Sequence, residues 1–163
     1  MKKGILIVVG LVVLALAGYT LWFDKAGAPQ VAYTSIEGKT ASTDSLKGKV
    51  VLVNFWATSC PGCIQEMPEL KKTHERYAPQ GYETVAVAMS YDPPNYVHAY
   101  VSDKQLPFFV VLDSQGSIAK AFGDVQLTPT SILIGKDGNV IKRFVGVPDF
   151  TELNGLIEKA IKA

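Results

Sequence analysis

The sequence predicts an α/β fold: a central mixed β-sheet with helices on both faces, plus one transmembrane helix at the N-terminus. Three observations lead there. Strand-like and helix-like stretches alternate from residue 33 onward and end in a hairpin and a helix, an order that builds a mostly parallel sheet with an antiparallel edge. Val50-Val51-Leu52-Val53-Asn54-Phe55-Trp56 is almost unbrokenly apolar, the pattern of a strand covered on both faces. Residues 4–23 carry no charge and follow Met1-Lys2-Lys3.

That uncharged run is long enough to cross a hydrocarbon core about 30 Å thick at 1.5 Å rise per residue. Lys2 and Lys3 hold the N-terminus in the cytoplasm by the positive-inside rule, which puts the rest of the chain outside, in a periplasmic or equivalent extracytoplasmic space. A cleaved signal peptide is the alternative, with Ala15-Leu16-Ala17 as its small-x-small site. Trp22 and Phe23 continue the apolar run and suit a membrane interface, which favours the anchor. The chain then divides into an anchor at 1–23, a short linker at 24–32 and one domain at 33–163. Net charge over the 163 residues is +1, which weighs against a nucleic-acid partner.

Along the domain, 33–36 and 40–42 are short extended stretches separated by the turn Glu37-Gly38-Lys39. Residues 64–77 have helical spacing, with Pro68 inside the helix. A second buried strand covers 84–89, a helix opening on Pro93-Pro94 covers 94–104, and a third strand covers 108–112. After the turn Asp113-Ser114-Gln115-Gly116 comes a short helix at 117–122. Strands at 131–134 and 140–147 form a hairpin around Gly135-Lys136-Asp137-Gly138-Asn139, and an amphipathic helix at 150–161 closes the chain.

Cys60-Pro61-Gly62-Cys63 holds the only two cysteines, between the apolar strand and the helix. A C-x-x-C at a strand-to-helix junction is an arrangement for making and breaking disulfides. Only a thiolate attacks a disulfide, and a free cysteine, with pKa about 8.5, is mostly protonated at neutral pH. The unpaired N–H groups and dipole of a helix N-terminus favour the anion at Cys60. Cys63, one turn later and more buried, resolves the mixed disulfide that Cys60 forms, while Pro61 and Gly62 tune the turn. So short a loop makes a poor structural staple, and no second cysteine pair completes a zinc site, so no metal is expected.

The segment Asn54-Phe55-Trp56-Ala57-Thr58-Ser59-Cys60-Pro61-Gly62-Cys63 resembles the active-site segment of thioredoxin-fold proteins. Pro68 matches the proline of their active-site helix, Thr128-Pro129-Thr130 is similar to their cis-proline loop, and Phe144-Val145-Gly146 fits before the last helix. The stretch 94–112 and Gly48-Lys49-Val50 resemble the TlpA/ResA branch, which are membrane-tethered thiol–disulfide oxidoreductases. The resemblance implies a thioredoxin-like fold over about 33–163, a cis Pro129 packed against the Cys60 sulfur, and a Thr128 backbone free to pair with an extended client peptide. It implies no cofactor beyond the Cys60–Cys63 disulfide.

Three departures stand out. Ser59 occupies the place of a usual tryptophan, and Asn54 that of a buried aspartate in cytoplasmic thioredoxins. The glutamate that some ResA-like proteins carry after the second strand is replaced by Ser90-Tyr91-Asp92. Proton transfer at Cys63 is therefore expected through water or Asp92. Glu66 is a second possible relay, although its helix position reads as solvated. His74 and His98 also read as solvated, and Trp56 as packing beside the site.

The leading functional expectation is a disulfide reductase for exported proteins, supplied with electrons by a membrane protein of the DsbD/CcdA kind. Clients of the cytochrome c biogenesis type (apocytochrome c) or oxidase copper-site cysteines suit it. A thiol peroxidase of the AhpC/TSA type is disfavoured by Ala57, where threonine is usual three residues before the cysteine. A copper(I) carrier needs a third soft ligand, for which Met67 is the neighbour in sequence.

Overall fold

The structure, a computed structural model, describes residues 27–163. The expected membrane span and the possible cleavage motif lie outside the described residues, among which no helix is long and apolar enough to cross a membrane.

A five-stranded mixed sheet forms the centre. Its strands are β3 (Val50–Trp56), β4 (Tyr82–Ala88), β5 (Phe109–Leu112), β6 (Thr130–Ile134) and β7 (Val140–Val145), in spatial order β5-β4-β3-β6-β7. β3, β4 and β5 are parallel, and β6 and β7 are antiparallel to their neighbours. β1 (Ala32–Thr34) and β2 (Thr40–Ser42) make a separate hairpin. It reaches the sheet edge through a Ser35–Val111 bridge and the Ile36 N–H donated to the Val110 carbonyl at 2.9 Å. The helices are α1 (Pro61–Tyr77), α2 (Pro94–Lys104), α3 (Ser117–Ala121) and α4 (Phe150–Lys162).

Every residue of β3 is buried, as a central strand between two layers requires. Val50, Leu52 and Trp56 pack with Met67 and Leu70 of α1, Val97 of α2, and Leu153 and Ile157 of α4. Val51, Val53 and Phe55 face the other way, onto Ile118 and Ala119 of α3, Phe122, and Tyr33 of the small hairpin. Alternate β3 residues thus feed two separate cores, each fully buried side chain stabilising the fold by about 1.5–3 kcal/mol.

Residues 27–31, within the stretch read as linker, are packed onto the domain. Gly27 bridges Asn139, the Ala28 N–H donates to the Gly138 carbonyl at 2.9 Å, and the Thr43 hydroxyl donates to the Pro29 carbonyl at 2.8 Å. α1 begins at Pro61, three residues before its apolar periodicity, because Cys60 caps it and proline is preorganised for the first helical position. β7 stops at Val145, where Gly146 takes φ +86°.

The solvated reading of His74 is overturned. It is buried, its Nδ1 is 3.2 Å from the Thr84 hydroxyl, and its ring lies edge-on to Phe108. His74 lies four residues after Leu70 and three before Tyr77, on the apolar face of α1. Burial there lowers its pKa, with Glu83 and Glu75 opposing. His98 is exposed on α2.

Candidate active site

β3 delivers the chain to the C-terminal edge of the parallel strands, where the Cys60–Cys63 disulfide closes the first turn of α1 with its Cα atoms 5.3 Å apart. Cys60 is the N-cap of α1, in extended conformation. Its sulfur accepts the Cys63 N–H at 3.2 Å, a donor that the helix itself leaves unsatisfied. Once the pair is reduced, the same N–H and the helix dipole stabilise a Cys60 thiolate. Cys60 is partly exposed and Cys63 is fully buried, so one sulfur meets a partner and the other is held behind it.

Three further loops converge on the disulfide. The Thr128-Pro129 peptide bond is cis, and Pro129 is buried. A Cβ on Gly62 would lie 3.3 Å from Pro129 Cδ and 3.4 Å from Val147 Cγ2, so both loops approach the helix start closely at Gly62, most tightly at Pro129. The Gly146 N–H donates to the Pro129 carbonyl at 2.8 Å and ties the end of β7 to the same place. The fourth loop follows β4. The Tyr91 hydroxyl lies 3.2 Å from the Thr128 hydroxyl, and Asp92 reaches across to the loop before the cysteines.

Both Asp92 oxygens are engaged: one accepts the Thr58 N–H at 2.7 Å and the other the Thr58 hydroxyl at 2.5 Å. Asp92 is buried and braces residues 57–59 instead of facing the sulfurs with a free oxygen. Ser59 is exposed. Trp56 is fully buried, its ring 5.4 Å from Tyr100, and its Nε1–H has no partner among the described residues.

Glu66 departs most from the sequence reading. The solvated position expected for it is overturned, since only 1% of it is exposed. It lies one turn after Cys63, and side chains three apart on a helix are neighbours, about 5–6 Å between Cβ atoms. The Asn54 amide donates to Glu66 Oε1 at 2.8 Å and to the Ser131 hydroxyl at 2.9 Å. Glu66 Oε2 and Asn54 Oδ1 are buried without a partner. Burial pushes the Glu66 carboxyl up to about 7, against a smaller opposing effect of the Asn54 hydrogen bond. A carboxyl poised near neutral pH beside a buried sulfur is suited to holding and releasing a proton. The signal was in the spacing: Cys63, Glu66, Met67, Leu70, Thr73, His74 and Tyr77 follow one helical face, all buried.

Met67 is buried within the helix–sheet core, and among the described residues no group of three or more His, Cys, Asp or Glu is placed to hold a metal ion.

The comparisons agree with this geometry. The family model described as Redoxin matches residues 24–157. The chain is 33% identical over 172 residues to thiol-disulfide oxidoreductase ResA of Bacillus thuringiensis subsp. konkukian (strain 97-27), covering 98% of each protein. Its fold superposes with TM-score 0.79 on the solution structure of a putative thioredoxin from Neisseria meningitidis, at 44% identity over 85% of this chain and 92% of that one. A thiol:disulfide interchange protein from Chlorobium tepidum TLS superposes with TM-score 0.77 at 28% identity, over 84% and 97% of the two chains. A paired, helix-capped Cys60–Cys63 in this fold, with such relatives, has one reading: the chain belongs to the Redoxin family and is a thiol–disulfide oxidoreductase of the ResA type.

Proposed function

We propose that the protein is a membrane-anchored, extracytoplasmic disulfide reductase that passes two electrons from Cys60 and Cys63 to cystines of exported proteins. The direction rests on one observation. Thiolate-stabilising groups make such a pair oxidising, and this site has few of them. Segments 57–63, 125–130 and 145–148 contain no charged residue, and 89–92 contains only Asp92. No cation therefore stands on these four segments beside Cys60, where the Cys63 N–H is the hydrogen-bond donor to its sulfur.

In the reducing step the Cys60 thiolate attacks one sulfur of the client disulfide. The client S–S bond breaks, a Cys60–client disulfide forms, and the departing client sulfur leaves as a thiolate and takes a proton. Cys63 then loses its proton, to Glu66 in our reading, and attacks the Cys60 sulfur. The mixed disulfide breaks, the second client sulfur is released, and the Cys60–Cys63 bond closes with two electrons transferred. The Thr128 backbone, which pairs with no described residue, is open to an extended client segment beside the disulfide.

Residues 4–23, uncharged behind Lys2 and Lys3, support an uncleaved anchor with the domain outside the cytoplasm. A donor of the DsbD/CcdA kind suits that location. So do clients whose cysteines must stay reduced for metal or haem attachment, apocytochrome c or an oxidase copper site among them.

The reduction potential of the Cys60–Cys63 pair, measured by equilibration with a glutathione or thioredoxin couple, tests the direction. A value near −270 mV, about that of thioredoxin, is expected; one near −120 mV, about that of a strong oxidant, overturns the reductase reading.

A further inference from the structure

The four loops around the disulfide leave an apolar mouth whose one charged residue, Asp92, is engaged by Thr58. Leu127, immediately before Thr128, is 65% exposed, Tyr91 is 57% exposed and Val147 is 44% exposed. Large apolar side chains bared together around a reactive bond mark a surface that a partner covers. Tyr91 is tied at both ends. Its neighbour Asp92 is bonded to Thr58, two residues before Cys60, and its own hydroxyl meets that of Thr128. It therefore bridges the loop before the cysteines to the cis-proline loop.

We infer that Tyr91 selects the client: with Leu127 and Val147 it forms a mouth for an extended segment whose cysteine is flanked by apolar side chains. This rests on the reductase reading of the same disulfide. The occupant follows from the chemistry of the walls. A client strand laid along Thr128 alternates its side chains, so the residues two before and two after its cysteine share the cysteine's face and fall toward Leu127 and Tyr91. Apolar flanks bury against them, and a tyrosine supplies broad contact at low conformational cost. Charged flanks lose water there and meet no opposite charge, because the one carboxylate on these loops, Asp92, is already engaged by Thr58. The Tyr91–Thr128 contact keeps the two walls in register before the client arrives.

The test uses the full chain in detergent, reduced beforehand, and two synthetic peptides. Each carries one cystine, with leucine and valine two residues before and after the reacting cysteine in one and glutamate at the same places in the other. The wild type is expected to favour the apolar peptide by about tenfold in kcat/KM, roughly the effect of burying one large apolar side chain. Tyr91→Ala is expected to bring the ratio to within about threefold of unity, through a raised KM for the apolar peptide and not through kcat. Tyr91→Phe keeps the ring and most of the preference. Leu127→Lys is expected to turn the preference toward the glutamate peptide. The ratio is taken within one protein, so partial unfolding of a variant cancels from it. Equal kcat/KM for the two peptides in the wild type, or a ratio unmoved by both Tyr91→Ala and Leu127→Lys, overturns the selector. Failure to reduce either peptide overturns the reductase reading itself, and the selector with it.

Discussion

At the scale of single residues, the proton at Glu66 links stability to chemistry. Its carboxyl is raised from 4.5 to about 7 by burial. The folded protein therefore binds this proton more tightly than the unfolded chain does. A group raised in this way contributes stability that is full below pH 4.5 and is lost as pH rises through about 7. The loss amounts to roughly 3 kcal/mol. Glu66→Gln keeps the shape without the charge, so in urea titrations it is expected to match the wild type at pH 4 and exceed it at pH 8. Equal midpoints at pH 8 would show that the carboxylate is not penalised. If Glu66 also takes the Cys63 proton, reduction of a model disulfide by the wild type rises through about pH 7, and Glu66→Gln flattens that rise. Asp92→Asn tests the other relay. Both its oxygens serve Thr58. That variant is expected to lower the rate by loosening the loop before Cys60 while leaving the midpoint near pH 7. A shifted midpoint in Asp92→Asn would return Asp92 to the relay.

At the scale of elements, the start of α1 and the cis-proline loop act as one unit, and Gly62 is the joint. Valine there places two methyl groups where even a Cβ already sits 3.3 Å from Pro129 and 3.4 Å from Val147. Gly62→Val is therefore expected to push the loop off the helix, costing about 1–3 kcal/mol in thermal or urea unfolding and lowering kcat/KM. Alanine is milder, because its helix propensity offsets part of the contact. An unfolding midpoint unchanged in Gly62→Val would mean that the loop does not need the close approach. The elements themselves were largely legible from the chain. The covered strand β3, the motif at its end and the Pro129 loop carry local signals in apolar runs, cysteine spacing and proline placement. Glu66 and His74 read as solvated in the sequence, because a charged or titratable side chain suggests solvent even where its helical position points inward. Only the partners Asn54 and Thr84, brought by other elements, make their burial tolerable. Tyr91 and Thr128 are 37 residues apart in sequence, and nothing local announces that contact.

At the scale of the whole molecule, the fold sets which way the disulfide points. β6 runs antiparallel to β3, with Ile134 opposite Val51 and Thr130 opposite Phe55. The β6–β7 turn therefore lies at the pole where β3 begins, and Pro129 lies with the cysteines at the pole where it ends. The chain enters the domain at the first pole, where Gly27 and Ala28 are bonded to Asn139 and Gly138. Only residues 24–26 separate that docked point from the apolar run 4–23, a reach of about 10 Å. If the run is an anchor, the β6–β7 turn sits near the lipid headgroups. Cys60 then stands beyond the far end of β3, roughly 20 Å further out. In that arrangement the disulfide would face away from the bilayer. Headgroup-quencher lipids in nanodiscs test this. A fluorophore is placed on Cys60 in a Cys63→Ser chain, or at position 137 in a chain carrying Cys60→Ser, Cys63→Ser and Asp137→Cys. Quenching is expected to be strong at 137 and weak at 60. The reverse order would mean that the docked entry of the chain does not orient the domain, and no quenching at either site, with the chain released from the lipid, would remove the anchor.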